Sequence, residues 1–204
     1  MTEAELIIQE YKQILEVAKT LSSDMAVYVG EGETFIVLYK PSPDLKKSLS
    51  DYDYTEGSDS ILGAVTTRWN DSYQVTEIDS IFAKSGYGPV LSQIMMSYYK
   101  KDGIAMNRSP HYVTDAAKKL WKGFFDGAGS DLVTTEEINS EVPHHEEDYL
   151  NHKFFIKKPL RLSKQLSNHK KFIGKDPYGE MTTAFEEFAD YLLTGRMNDI
   201  YNFQ

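Results

Sequence analysis

The chain contains no cysteine among its 204 residues. A disulfide framework, a thiolate metal site and a cysteine nucleophile are therefore excluded. Because proteins of a reducing compartment do without disulfides, this absence leads us to expect a cytoplasmic protein.

Long apolar runs are absent as well, and basic residues are in the minority. No stretch approaches the roughly 18 apolar residues of a membrane-spanning helix, and the first residues (MTEAELIIQEY) are unlike a signal peptide. We therefore expect no membrane partner. The 22 Lys and Arg residues against 31 Asp and Glu give a net charge of -9, which argues against non-specific binding of nucleic acid by the surface as a whole.

The length predicts one domain with an extension. We assign residues 1–126 to an α/β domain and residues 127–204 to a C-terminal helical or irregular extension that packs on it. A helix is predicted over residues 2–21, since Thr2 and Glu5 form a capping box ahead of apolar residues at helical spacing. Its apolar face packs on the sheet or on a second copy of the chain, which would make a homo-oligomer.

Two β-hairpins are predicted in the first half of the domain. Residues 25–40 contain two apolar runs around a glycine turn, and residues 61–83 contain two more around Asn70, Asp71 and Ser72. Residues 41–60 are polar and have no periodicity, which predicts a long loop.

The most informative stretch is a strand, a glycine turn and a helix over residues 75–103. The strand VTEIDSIFA leads through KSGYG into PVLSQIMMSYYKKDG, with Pro89 at a favourable first helical position. Backbone N–H groups at such a helix start, together with the positive end of the helix dipole, suit a phosphate or pyrophosphate. The alternative is a tight strand-to-helix turn without a ligand. Neither G-x-x-x-x-G-K-[ST] nor G-x-G-x-x-G is present.

This stretch resembles the acyl-CoA-binding core of the GNAT superfamily of N-acetyltransferases. The family pattern [RQ]-x-x-G-x-[GA] matches residues 83–88, with Ala83 in place of Arg or Gln. The downstream pattern N-x-x-A-x-x-[LI]-Y-x-x-x-G-F matches Thr114, Ala117 and Leu120, with Trp121 where the family has tyrosine, followed by Gly123 and Phe124. The sequence of these two segments is similar to that of small acetyltransferase-like proteins of tailed bacteriophages. This similarity would place the protein in the host cytoplasm.

The resemblance implies a fold, a cofactor and a reaction. The fold would be a mixed, mostly antiparallel twisted sheet flanked by helices. The protein would bind acetyl-CoA or another acyl-CoA and transfer the acyl group to an amine-bearing acceptor, whether on a protein, a small molecule or a modified DNA base. The residues implied in cofactor binding are Ile81, Ala83, Lys84, Ser85, Gly86, Tyr87, Gly88 and Arg108.

Two carboxylates on the predicted strand are candidates for the general base. Glu77 and Asp79 alternate onto one face of the strand, and two carboxylates are costly to bury in an apolar core. We therefore expect them to face a cleft or the solvent. In a cleft, repulsion and partial burial would raise the pKa of one of them toward that of a useful base. The alternatives are an exposed face or an ion pair with Arg68.

The general acid is predicted from the loop after the next strand. In the family, a tyrosine often protonates the departing CoA thiolate, and Trp121 cannot replace it because indole does not release its proton. Ser109 and Tyr112 carry hydroxyls in a loop at the C-terminal end of a parallel strand, where open α/β sheets place ligands. The alternative for Arg108 in this loop is an ion pair with a nearby acid.

The extension contains an acidic block (residues 131–148) followed by a basic block (residues 153–175). Such blocks usually pair with each other or remain solvated, although the basic block could receive the CoA 3′-phosphate or a nucleic-acid backbone. His144, His145 and His152 lie beside acids without H-E-x-x-H spacing, so no metal site is predicted.

A non-enzymatic alternative remains open from the sequence. The departures at Ala83 and Trp121 would fit a retained scaffold that binds a protein or a nucleic acid instead of acyl-CoA. Its acidic and basic blocks would then form the contact surface.

Overall fold

A computed structural model describes residues 25–30, 35–53, 57–107, 115–127, 133–138, 144–157, 187–188 and 191–193. The predicted N-terminal helix over 2–21, the loop that carries Arg108, Ser109 and Tyr112, and most of the basic block lie outside the described residues.

The fold is mixed α/β, as predicted, with a mostly antiparallel sheet. Its strands are β1 (Ala26–Val29), β2 (Phe35–Tyr39), β3 (Ile61–Asn70), β4 (Val75–Ala83), β5 (Ile104–Ala105), β6 (Val133–Glu137) and β7 (His152–Ile156), and the described helices are α1 (Pro43–Asp51), α2 (Gly88–Tyr98) and α3 (Asp115–Asp126). The seven strands follow the order β1-β2-β3-β4-β5-β7-β6. The pairs β1/β2, β2/β3, β5/β7 and β6/β7 are antiparallel, whereas β4/β5 is parallel.

The chain divides into two compact units, one made of residues 1–20, 67–79 and 86–160 and the other of residues 21–66, 80–85 and 161–204. The second unit is built on the first predicted hairpin. Strands β1 and β2 are buried along their whole length, and one buried cluster joins them to helix α1. This cluster consists of Ala26, Tyr28, Phe35, Val37, Tyr39, Leu45, Leu49, Ile61, Ala64, Phe82, Phe188 and Leu193.

Helix α1 corrects the prediction of a long loop over residues 41–60. The side chain of Ser42 accepts a hydrogen bond from the N–H of Leu45 at 3.0 Å, and Pro43 stands in the first turn. Serine before proline is an N-terminal capping signal as well as a loop signal. The helix forms because Leu45 and Leu49, one turn apart, are buried in the second unit's core.

The first unit contains the predicted crossover. Strand β4 leads through α2 to the parallel strand β5, which confirms the predicted order of strand, helix and parallel strand. Helix α3 lies against β7, where Trp121 makes edge-to-face contacts with Phe124 and Phe154 at centroid distances of 5.7 and 4.8 Å. The position that resembles the family tyrosine is therefore part of the apolar core.

The extension adds two strands to the first unit. Strand β7 pairs with β5, and β6 pairs with β7. The register sets Glu136 of the acidic block opposite Lys153 of the basic block, and opposite charges at such positions favour pairing. The prediction of a helical or irregular extension is thus wrong for residues 133–137 and 152–156, which are strands of the sheet.

Gly103 provides a test of the α2–β5 connection. Gly103 has a left-handed φ of 70°, but α2 already ends at Tyr98 with Tyr99 as its C-cap, so Gly103 belongs to the turn before β5 and is not the helix cap. A Cβ built on it would lie 2.6 Å from a ring carbon of Phe155. We predict that Gly103→Ala lowers the free energy of unfolding by about 1–3 kcal/mol, since the left-handed backbone strains alanine and the ring must move. Urea denaturation measures this loss.

A second background separates the two causes. In a Phe155→Leu chain the ring contact is gone, so Gly103→Ala should cost less there than in the natural chain. An equal cost in both backgrounds would show that the ring contact contributes nothing.

Candidate active site

The glycine turn after β4 leaves the start of α2 open. Gly86 is exposed with a φ of 87°, and a Cβ built on it would meet no heavy atom within 4 Å. The side chain of Tyr87, the N-cap residue, makes no capping hydrogen bond, and Pro89 follows in the first turn. The N-cap side chain therefore leaves the N–H groups of this first turn, at the positive end of the helix dipole, uncapped.

The predicted cofactor-binding residues before Gly86 belong to the second unit. Ile81 and Ala83 are half-buried and Ser85 is exposed. The Lys84 N–H donates to the carbonyl of Leu62 at 2.9 Å, and its ammonium group lies 3.1 Å from a carboxylate oxygen of Asp59. The charge of Lys84 is therefore already paired within its own unit.

The two candidate carboxylates of β4 share one counter-ion, Arg68 of β3. The guanidinium Nη2 lies 3.6 Å from Oε2 of Glu77, and Nη1 lies 3.4 Å from Oδ1 of Asp79. Both distances exceed the 2.7–3.2 Å that is typical of an N–H···O hydrogen bond. The contacts are therefore long ion pairs, and the ion pair with Arg68 is the alternative that the sequence left open.

The three charged side chains differ in exposure. Glu77 is 1% exposed, Asp79 43% and Arg68 52%. The expectation of a solvent-facing carboxylate is therefore wrong for Glu77 and holds for Asp79, while a cleft at Glu77 stays a prediction. A carboxylate can be buried where a counter-charge is near, and the Arg68 guanidinium provides this charge.

One oxygen of Glu77 lacks a hydrogen-bond donor. Its Oε1 atom is buried and has no hydrogen-bond partner in the part of the chain that the structure describes. Val75, on the same face of β4, and Ala105, the partner of Glu77 in β5, belong with Ile138 to a small buried apolar cluster. A buried carboxylate oxygen without a donor is a position where the N–H group of a ligand would be stabilised.

Pairing between β4 and β5 stops beside this carboxylate. The register contains the single pair Glu77 and Ala105, after which β5 ends. Asp79 is the next residue on the same face of β4. The carboxylates thus lie where the parallel strands cease to be joined, the edge at which α/β sheets place ligands.

The predicted general acids cannot be placed, because Ser109, Tyr112 and the neighbouring Arg108 lie outside the described residues. The sequence did not point to a second buried polar pair, Thr67 and Tyr99, whose hydroxyl oxygens are 2.7 Å apart. Thr67 precedes Arg68 and so lies on the opposite face of β3. This pair connects the end of α2 to the sheet, away from the carboxylates.

The histidines of the extension have structural partners. His145 and Asn151 exchange backbone-to-side-chain hydrogen bonds at 2.7 and 2.9 Å, and Nδ1 of His145 accepts from the N–H of Glu147 at 3.1 Å. Burial, followed by the hydrogen bond to Glu147, raises the pKa of Tyr149 above its usual value, so this hydroxyl remains a donor at neutral pH. Among the described residues, no three His, Asp or Glu side chains form a group suited to a metal ion.

No described helix has both the length and the apolar character needed to cross a membrane. Comparisons of the sequence with protein-family models and with curated proteins, and of the structure with solved structures, found no match.

The ion pair predicts a coupled effect on stability. Arg68→Met leaves the buried Glu77 without its counter-charge, so we expect the free energy of unfolding to fall by about 1–3 kcal/mol. Adding Glu77→Gln should recover most of this loss, because it removes the uncompensated charge. Urea denaturation of the single and double variants measures the coupling.

Asp79→Asn in the Arg68→Met chain is the matched control. It should recover much less, because water solvates the half-exposed Asp79. Equal recovery by both amides would contradict the assignment of Glu77 as the buried member.

Proposed function

We propose that this protein is an acyl-CoA-dependent N-acyltransferase of the GNAT type, which transfers an acetyl or other acyl group to an amine. The observation that carries the proposal is the composition of strand β4. This strand bears a buried carboxylate with an unpartnered oxygen at Glu77, and it leads into the turn whose helix start is open. One element thereby supplies a candidate base and a candidate diphosphate site.

The order of elements supports the proposal. An antiparallel β1/β2 pair, the neighbouring strands β3 and β4, the glycine turn and the parallel crossover to β5 follow one another as the resemblance requires. The residues at the turn also fit a diphosphate. Gly86 adds no side chain to the space in front of α2, and the side chain of the N-cap residue Tyr87 does not cap the first turn of that helix.

Acyl-CoA would supply the thioester carbonyl, and the side chains of β4 would handle the proton of the amine. The unpartnered Oε1 of Glu77 is the proposed acceptor of this proton. Because Glu77 is buried, the transfer runs through a water molecule or requires Arg68 to move. Asp79, on the same face and more exposed, holds the positive charge of the incoming amine.

A proton donor for the departing thiolate must come from elsewhere in the chain. Trp121 is fully buried among aromatic rings and has no acidic proton to give. Tyr112 and Ser109 remain the proposed donors.

The burial of Trp121 also favours the second candidate function, a scaffold that binds a partner without catalysis. Strands β6 and β7 are part of the first unit's sheet, so deleting the extension would disrupt folding as well as remove a contact surface. Single substitutions therefore distinguish the two functions better than truncation.

The diphosphate site is tested by two nearly isosteric variants of Gly86. Both Asp and Asn tolerate a left-handed backbone, but only Asp places a negative charge before α2. We predict that Gly86→Asp weakens acetyl-CoA binding at least about tenfold, or 1.4 kcal/mol, relative to Gly86→Asn. Isothermal titration calorimetry measures both affinities.

Absence of acetyl-CoA binding at millimolar concentration in the natural chain would overturn the transferase proposal. Equal affinities of the Asp and Asn variants for acetyl-CoA would show that the diphosphate does not bind next to Gly86.

The proposed base is tested by the substitution Glu77→Gln. We predict that kcat for acyl transfer falls about 10²–10⁴-fold, the usual contribution of a general base, while the Kd for acetyl-CoA is unchanged. Release of free thiol from acetyl-CoA, followed with a panel of primary amines, provides the rate. Asp79→Asn is the comparison: because Asp79 is proposed to hold the charge of the amine, this variant should raise the KM for the amine while kcat falls much less than in Glu77→Gln.

Binding of acetyl-CoA without thiol release for any amine in the natural chain would support the non-catalytic scaffold. A Glu77→Gln variant with full kcat would remove Glu77 from the mechanism.

A further inference from the structure

We infer that Glu77 and Asp79 form a binding site for a primary ammonium group, and that Arg68 occupies this site in the free protein and must be displaced. The inference rests on the proposed function only in identifying this ammonium group with the acceptor amine. It makes Arg68 an internal competitor of the acceptor and selects cationic amines over neutral ones.

The contacts of Arg68 with the two carboxylates are long. Its guanidinium contacts both carboxylates at 3.4 and 3.6 Å, outside the hydrogen-bond range, and its side chain is 52% exposed. Removing Arg68 alone would leave the buried Glu77 without a counter-charge. A cationic ligand that takes the place of the guanidinium restores this charge, so the half-exposed Arg68 can then move into solvent without leaving Glu77 unpaired.

One carboxylate oxygen of Glu77 still lacks a hydrogen-bond donor. Arg68 faces Oε2 of Glu77, whereas Oε1 is buried with no hydrogen-bond partner among the described residues. Desolvated anionic oxygens are stabilised by charged donors at hydrogen-bond distance. Arg68 provides a positive charge near Glu77 but no hydrogen bond, so the carboxylate is only partly stabilised.

A primary ammonium group has the shape and the donors that the two carboxylates require. A primary ammonium is a compact charge with three donors. It can approach one carboxylate oxygen of Glu77 and one of Asp79 and still present a third proton to water. A planar guanidinium fixed on the neighbouring strand β3 does not reach hydrogen-bond distance of either.

Direct competition tests the inference. The probe is 1,5-diaminopentane, with 1,5-pentanediol as its uncharged match, titrated into the full chain without acetyl-CoA. We expect Arg68→Met to bind the diamine about five- to tenfold more tightly than the natural chain, because the site is then no longer occupied by Arg68 and the competent fraction rises. Arg68→Lys retains a competing cation and should show little gain.

Further variants locate the bound diamine. Adding Glu77→Gln to Arg68→Met should abolish the gain, and the diol should not bind any of these chains. If Arg68→Met binds the diamine no more tightly than the natural chain, or if Glu77→Gln leaves the gain intact, the inference is overturned.

A measurement on the natural chain avoids any instability of the Arg68 variants. The NMR signal of the Arg68 side-chain Nε–H should move toward the position of a free arginine as diamine is added, and it should not move with the diol. An unchanged signal at saturating diamine refutes displacement. If the diamine causes this shift but the natural chain does not bind acetyl-CoA, the proposed function is overturned and the ammonium site is retained.

Discussion

The buried carboxylate of Glu77 is the constraint around which the first unit is arranged. A carboxylate removed from water requires a nearby positive charge. The neighbouring strand meets this requirement with Arg68, which contacts Glu77 and Asp79 together. The other side of Glu77 adjoins the apolar cluster of Val75, Ala105 and Ile138. Only one oxygen of this buried carboxylate has a partner among the described residues.

Most other buried polar groups described in the first unit satisfy each other, which sets Glu77 apart. Thr67 and Tyr99 share a hydrogen bond, and Asn151 both donates to and accepts from His145. Unsatisfied buried groups are few in folded proteins and are concentrated at functional sites. Gln93 in α2 is a second such group, through its Nε2 atom. Among the described residues, only Glu77 combines this property with an ionisable group and a position where strand pairing stops.

The sequence was informative where local chemistry decides the structure. The glycines and Pro89 at the start of α2, and the alternation of Glu77 and Asp79, predicted the turn, the crossover and the shared face. The sequence was misleading where the same two residues are typical of two different local structures. Ser42 and Pro43 fit both a loop and a helix start, and burial of Leu45 and Leu49 against distant strands favours the helix. The strands of the extension were missed because their pairing partner, β5, lies far away in the chain.

The sequence alone determined the mixed α/β class, the glycine-bounded helix after β4 and the carboxylates on one face of that strand, because turn geometry and alternation depend on neighbouring residues. Tertiary structure decided that Glu77 is buried, that Arg68 neutralises it, that Trp121 belongs to the core and that β7 pairs with β5. These features depend on contacts between residues distant in the chain. Burial and charge pairing are properties of such contacts, and no local pattern fixes them.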